Sequence, residues 1–313
     1  MKSEQLAFVF PGQGSQSVGM LGGFSNNSVV MSCMGAASEA LGQDLVALIE
    51  SGPAEQLGLT VNTQPVMLAA GVAFFEAYRQ AGGTMPSLAA GHSLGEYAAL
   101  TAAGVFDLPA AVRTVRFRAE QMQAAVPVGT GTMAAIIGLE AEQVRGICES
   151  RSRPDAVVEA VNFNAPDQTV IAGHTPAVEG ACEALKAAGA KRAMLLTVSA
   201  PFHASLLAPA AKALADRLSG MALRAPAFGI VHNVDVQVRP DPNAIKEALA
   251  LQAMRPVRWV ETIAYLKAHG ITTLVECGPG KVLSGLVRRI SPELTVLNIN
   301  DQASLEAALE ATK

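Results

Sequence analysis

Apolar residues along this chain follow two rhythms, and the stretches where each holds predict the elements. Short unbroken apolar runs at 6–10 and 88–90 read as strands buried on both faces, the kind a parallel sheet requires. Apolar positions three and four apart predict helices over 35–49, interrupted by Gly42, and over 53–57, 65–80, 96–103 and 109–126. A polar linker separates the second of these from the third. Gln64 stands at the start of the third, where a polar side chain serves a helix end.

From Gly129 the order changes. Strand, helix, strand, strand, helix, strand follow one another at 132–139, 141–150, 156–164, 168–174, 176–188 and 192–198. Six elements in this sequence over about 70 residues make the split βαβ, ferredoxin-like pattern. Strands at 228–233, 272–276 and 294–299, alternating with helices at 204–219, 243–251, 260–269, 282–290 and 303–310, then resume the earlier alternation. The prediction is an α/β protein with a large domain, 1–128 and 199–313, built on a mainly parallel sheet. A small ferredoxin-like domain, 129–198, is set into it, and the cleft between the two is the expected site.

Composition narrows what this fold can do. With 313 residues, 50% hydrophobic and 16% charged, the chain can bury a sizeable core. A net charge of −4 and 4% aromatic residues give no basis for nucleic-acid binding. The apolar run ahead of Pro11 is too short for a signal peptide, and later runs are broken by polar residues before membrane-spanning length, so a cytoplasmic, membrane-free location is expected. Cys33, Cys148, Cys182 and Cys277 have no metal-ligand spacing and read as reduced structural thiols; no metal is expected.

Candidate chemistry concentrates at Gly91-His92-Ser93-Leu94-Gly95. A G-x-S-x-G segment between a strand and a helix places its serine on a sharp turn, with the helix N-terminus aimed at any oxyanion formed there. The loop Pro11-Gly12-Gln13-Gly14, at the end of the first strand, offers backbone N–H groups to an oxyanion or is a plain turn. His203, in a loop between the small domain and the next helix, is the best-placed general base. His92 would point away along the turn, His174 ends a small-domain strand, and His232 and His269 sit in polar contexts. Arg118 and Met122, four apart on one helix face, could hold a short acid, or Arg118 could be an ordinary solvated arginine.

Phe10–Gln16 (FPGQGSQ), Gly91–Tyr97 (GHSLGEY), the Arg118 helix, Asn162–Pro166, Pro201–His203, His232–Asp235 (HNVD) and Glu276–Leu283 (ECGPGKVL) together resemble the malonyl-CoA:acyl carrier protein transacylases, in order and over nearly the whole chain. The resemblance implies an α/β-hydrolase-like large domain with a ferredoxin-like small one. It also implies ping-pong transfer of malonyl from malonyl-CoA to the phosphopantetheine thiol of holo acyl carrier protein, in fatty acid or polyketide synthesis, by a monomer without a cofactor. Carried onto this sequence, Ser93 is the nucleophile and His203 its base, and the backbone N–H groups of Gln13 and Leu94 form the oxyanion hole. Arg118 grips the malonyl carboxylate, and Met122, Phe202, Gln64 and Asn162 complete the substrate site. The backbone carbonyl of Gln252 orients His203. Phe202 resembles the bulky residue of malonyl-selective members.

Two other readings share some of these residues. A serine esterase or thioesterase would want an acid behind His203 and has no use for a buried Arg118; a carrier-protein-binding module would leave Ser93 unacylated. Two basic pairs on a net-acidic chain, Lys191 with Arg192 and Arg288 with Arg289, are the expected docking sites for the acidic carrier protein.

Overall fold

The computed structural model describes residues 2–313. The chain opens with β1 (Lys2–Phe10), then α1 (Ser28–Leu41), α2 (Leu45–Ser51), α3 (Ala54–Gly58) and α4 (Thr60–Gln80). The predicted 35–49 helix is two helices, and the first starts earlier because the Asn27 side chain accepts from the N–H groups of Val29 and Val30. Gly42, left-handed at φ 62°, ends that helix, a conformation that suits a residue without a β-carbon. The predicted polar linker is also helical: α4 carries Pro65 within it and begins at Thr60. Thr60 and Gln64 are therefore one turn apart on a single face.

β2 (Met85–Gly91), α5 (Leu94–Ala102) and α6 (Leu108–Ala124) follow, the last capped by Asp107. β3 (Gly131–Ile137), α7 (Ala141–Arg151), β4 (Val158–Ala165), β5 (Gln168–His174), α8 (Thr175–Ala187) and β6 (Arg192–Leu195) come next, in the predicted order. The predicted 204–219 helix is a 3-10 turn, Ser205–Leu207, leading into α9 (Ala208–Ser219). The remainder is β7 (Gly229–Val231), α10 (Pro242–Gln252), α11 (Trp259–Ala268), β8 (Thr273–Cys277), α12 (Val282–Ile290), β9 (Thr295–Ile299) and α13 (Gln302–Ala311).

Two sheets organise these elements into a mixed α/β fold. The first is five-stranded and parallel, in the order β7-β2-β1-β8-β9; the second is four-stranded and antiparallel, in the order β4-β5-β3-β6. Central β1 explains its own sequence. Leu6, Phe8 and Phe10 point into the core shared with α4 and α5, while Ala7 and Val9 point into the core shared with α11 and α12. Both faces being covered, the strand is continuously apolar.

The antiparallel sheet packs one face on α7 and α8. From its other face Met133, Val161, Val170 and Ala172 meet Ala204 and Phe202, on either side of His203. The edge strand β4 is also tied to the segment after α10: Val257 N–H donates to the Val161 carbonyl at 2.8 Å and Phe163 N–H to the Val257 carbonyl at 3.0 Å. The His203 loop and the chain just beyond Gln252 are thus both held against the antiparallel sheet. No helix of the described residues is long and apolar enough to cross a membrane.

Candidate active site

Ser93 sits between the end of β2 and the start of α5 at φ 53°, ψ −110°, a conformation that non-glycine residues rarely adopt. The surrounding glycines permit the crowding. A β-carbon on Gly95 would lie 2.0 Å from the Phe10 carbonyl oxygen, and one on Gly91 would lie 1.9 Å from the Gly95 carbonyl carbon. The strained turn lifts the hydroxyl toward His203, whose Nε2 lies 2.7 Å from Ser93 Oγ. His203 Nδ1 lies 2.8 Å from the Gln252 carbonyl. A carbonyl can only accept, so Nδ1 carries the proton and Nε2 offers its lone pair to the Ser93 O–H.

His203 is 3% exposed. Burial, and after it the nearby positive charge of Arg118, pushes its pKa down to about 3. The ring is neutral at physiological pH and able to take a proton.

Most backbone donors of the turn are already committed. Within the turn, His92 N–H donates to the Phe10 carbonyl, Ser93 N–H to Asn233 Oδ1, Gly95 N–H to the His92 carbonyl and Glu96 N–H to the Ser93 carbonyl. Leu94 N–H, first in α5, has no partner in that set. Across from it, the β1 loop approaches so closely that a β-carbon on Gly12 would lie 2.6 Å from the His92 carbonyl oxygen. Gly14 N–H is taken by Gln16 Oε1 at 2.7 Å, and the Gln13 side chain is held by the Thr60 hydroxyl at 2.9 Å.

Arg118 is 1% exposed, and burial holds its pKa below the ordinary arginine value. Among the described residues its hydrogen-bond partners are all neutral. Nη1 donates to Gln64 Oε1 at 2.7 Å; Nη2 donates to Gln252 Oε1 at 2.8 Å and to Ser93 Oγ at 3.1 Å. Its guanidinium carbon lies 5.4 Å from the centre of the Tyr97 ring, and Nε is buried without a partner. Gln64 in turn donates to the Thr60 hydroxyl at 3.1 Å. The residues of the supposed linker therefore form a wall of the site.

These groups surround a cavity of about 200 Å³ whose lining includes Gln13, Gln64, Ser93, Leu94, Arg118 and His203. Met122, Asn162 and Phe202 line it as well. Asn162 is buried with no partner for its side-chain oxygen. Gln252 stands behind the cavity, touching it through His203 and Arg118. His92, expected to point away along the turn, instead lines the same cavity, where its Nε2 lies 2.8 Å from Asn164 Oδ1 rather than on the Ser93 hydroxyl. His232, expected in a polar setting, is instead fully buried, 2.6 Å from Glu96 Oε1. That buried pair and Asn233 beside it were missed as site-forming groups, although the HNVD segment was the signal that could have marked them.

The basic pairs lie away from the cavity. Lys191, Arg192, Arg288 and Arg289 are exposed, and Arg289 pairs with Asp167. Asp167 also accepts the Gly138 N–H through its backbone, and the Lys191 stem packs over Gly138. One turn thus brings the two pairs near each other. The Gly278–Lys281 segment serves structure: buried Glu276 accepts from the N–H groups of Leu283 and Ser284 and from the Ser284 hydroxyl, filling the start of α12 with its own carboxylate. The four cysteines are free, three of them buried.

A serine on a strained strand-to-helix turn with a neutral histidine on its hydroxyl defines an acyl-transfer site, and an acyl transferase domain model matches residues 7–303. The chain belongs to the acyl transferase family. A relative from Salmonella typhimurium, the malonyl CoA-acyl carrier protein transacylase, is 51% identical over 306 residues, covering 97% of this chain and 99% of the relative. The crystal structure of an acyl-carrier-protein S-malonyltransferase from Burkholderia pseudomallei superposes with a TM-score of 0.96 at 55% identity, over 98% of this chain and 99% of that one. The malonyl-transacylase PlMCAT, solved in complex with the type II PKS acyl-carrier protein AntF, gives a TM-score of 0.96 at 48% identity, over 98% and 99%. Within the acyl transferases the chain is a member of the malonyl CoA-acyl carrier protein transacylase group.

Proposed function

We propose that this protein transfers malonyl from malonyl-CoA to the phosphopantetheine thiol of holo acyl carrier protein through a malonyl-Ser93 ester. The observation that carries the reading is Arg118: a buried cation whose protein partners are neutral, 3.1 Å from Ser93 Oγ. The carboxylate of Glu96 acts on it only through space, and a buried arginine with no acid in direct contact is costly unless a ligand supplies one. A malonyl carboxylate is the right size and charge, and the guanidinium fork matches it bidentately.

The chemistry runs as two half-reactions. As Ser93 Oγ bonds to the thioester carbonyl carbon, its proton passes to His203 Nε2. The carbonyl oxygen becomes an oxyanion between the N–H groups of Gln13 and Leu94; removing one such donor costs on the order of a hundredfold or more in rate. When the oxyanion collapses the C–S bond breaks, and the CoA sulfur takes the proton from His203. The carrier-protein thiol then gives its proton to His203 and attacks the ester carbonyl; as the new oxyanion collapses the C–O bond to Ser93 breaks, and Ser93 Oγ takes the proton back from His203. Gln252 holds the imidazole by its backbone carbonyl, in place of the acid of a Ser-His-Asp triad. Nucleophile, base and oxyanion donors all come from the chain, so the reading includes neither metal nor cofactor.

Phe202, packed between Met133 and Val170 on one side and Met122 and Leu207 on the other, crowds the acyl α-carbon and favours malonyl over branched groups. The unpartnered Asn162 oxygen is placed to accept an amide N–H of the pantetheine arm. The reading also divides the chain into a hydrolase-like domain, 1–128 with 199–313, and a ferredoxin-like domain, 129–198; the β4-β5-β3-β6 order supports the second assignment. The protein works as a cytoplasmic monomer without nucleic acid or membrane. Its carrier protein docks at Lys191, Arg192, Arg288 and Arg289.

The fate of the acyl group tests this function. With labelled malonyl-CoA and holo acyl carrier protein, label should accumulate on the carrier thiol, with free malonate a minor product. Malonate as the main product in the presence of carrier protein would return the site to a thioesterase.

A further inference from the structure

Behind Ser93 lies a buried polar cluster of which only the Gln252 carbonyl has a place in the reaction steps above. Glu96, His232, Asn233 and Gln252 are each 0% exposed. Asn233 spans the turn: its Oδ1 accepts the Ser93 N–H at 2.8 Å, and its Nδ2 donates to the Gly91 carbonyl at 2.7 Å. Asn233 is seated in turn by Glu96, whose Oε2 accepts the Asn233 backbone N–H at 3.0 Å and Gln252 Nε2 at 2.9 Å. The other Glu96 oxygen holds His232 Nδ1.

We propose that Asn233, seated by Glu96, is a positioning residue for Ser93. The inference rests on Ser93 being the nucleophile. A serine at φ 53° keeps that backbone only if its surroundings over-determine it, and Asn233 ties the turn down on both sides of the strained residue. The same contact commits the Ser93 N–H to Asn233. The turn is thereby left with one free amide, that of Leu94, to face an acyl oxygen. Because Glu96 Oε2 also seats Gln252, whose carbonyl fixes His203, one carboxylate oxygen sets nucleophile and base against each other. Without the clamp the turn can relax toward ordinary dihedrals, and the 2.7 Å contact between Oγ and Nε2 is lost.

The test is the single-turnover rate of Ser93 malonylation over a range of malonyl-CoA concentrations, for the wild-type chain, Asn233→Ala and Glu96→Gln. Asn233→Ala should lower the limiting acylation rate by roughly a hundredfold, the scale of losing a positioned donor at such a site. Half-saturation should stay within about twofold, because Arg118 still grips the carboxylate. Glu96→Gln, which keeps one oxygen for the Asn233 N–H, should show a smaller loss of the same kind, and it decides the matter if Asn233→Ala does not fold. A wild-type limiting rate per folded molecule, or a loss confined to half-saturation, overturns the proposal. Absence of acylation in the wild-type chain would bring down the functional reading itself.

Discussion

The Arg118 guanidinium donates to Ser93 Oγ at 3.1 Å, on the same oxygen that gives its proton to His203. One cation therefore acts on two groups. It favours negative charge on the serine oxygen, and it disfavours positive charge on the imidazole beside it. Among the described residues it is also the one Lys, Arg, Asp or Glu lining the acyl pocket, and its hydrogen-bond partners, Gln64, Gln252 and Ser93, are all neutral. The first two predictions follow from these roles.

Arg118→Ala should lower kcat/KM for malonyl-CoA by about 10²–10³-fold, the equivalent of about 3–4 kcal/mol for truncating one partner of a buried charge pair. Acetyl-CoA has no carboxylate to leave unpaired, and its loss should stay below about tenfold. Parallel assays with the two thioesters check this. Equal losses would remove Arg118 from the carboxylate site.

The pH dependence follows from the His203 pKa of about 3. Acylation should show no acid limb from this residue near pH 6. In Arg118→Ala assayed with acetyl-CoA the limb should move to higher pH, because the cation that disfavours imidazolium is gone. Stability has its own sign. Above pH 6.5 the ring is neutral in both folded and unfolded chains; below it the unfolded chain takes up a proton that the folded one refuses, so stability falls from about pH 6.5 toward pH 3. His203→Gln should lose less Tm than wild type between pH 7 and pH 5, as read by thermal melts in the two buffers.

Phe202→Ala should raise the ratio of methylmalonyl to malonyl transfer by about 10–200-fold, the range that one methyl group in an apolar pocket can be worth. Competition between the two CoA esters measures it. An unchanged ratio would place the α-carbon away from this ring.

Charge reversal at Lys191, Arg192 and Arg288 should raise the KM for carrier protein while leaving the KM for malonyl-CoA unchanged. The difference should fade as salt screens the pairing. Arg289 should matter less, since Asp167 already neutralises it in part. A titration of carrier protein at low and high salt distinguishes the outcomes.

Much of this molecule is legible in its sequence because its signals are local. The 168–174 strand and the 282–290 helix fall where the periodicity puts them, and G-x-S-x-G marks the turn by a steric need that the Gly95 contact bears out. What escaped has nonlocal causes. The 60–64 segment looked like a linker because its polar residues face Gln13 and Arg118 across the site rather than water. Gln252 is named only through the family resemblance: it holds His203 through its main chain, and no side-chain identity records a backbone carbonyl. His232 and Asn233 look polar, yet they are buried because Glu96, from a helix 136 residues away in sequence, satisfies them.

The most direct measurement is intact-protein mass after brief mixing with malonyl-CoA, made on the wild-type chain and on Ser93→Ala, followed by addition of holo acyl carrier protein. The account predicts a single malonyl increment on the wild type, none on the variant, and its disappearance from the enzyme as the carrier protein gains it. An increment that persists in Ser93→Ala, or none on the wild type with malonyl-CoA in excess, would contradict it.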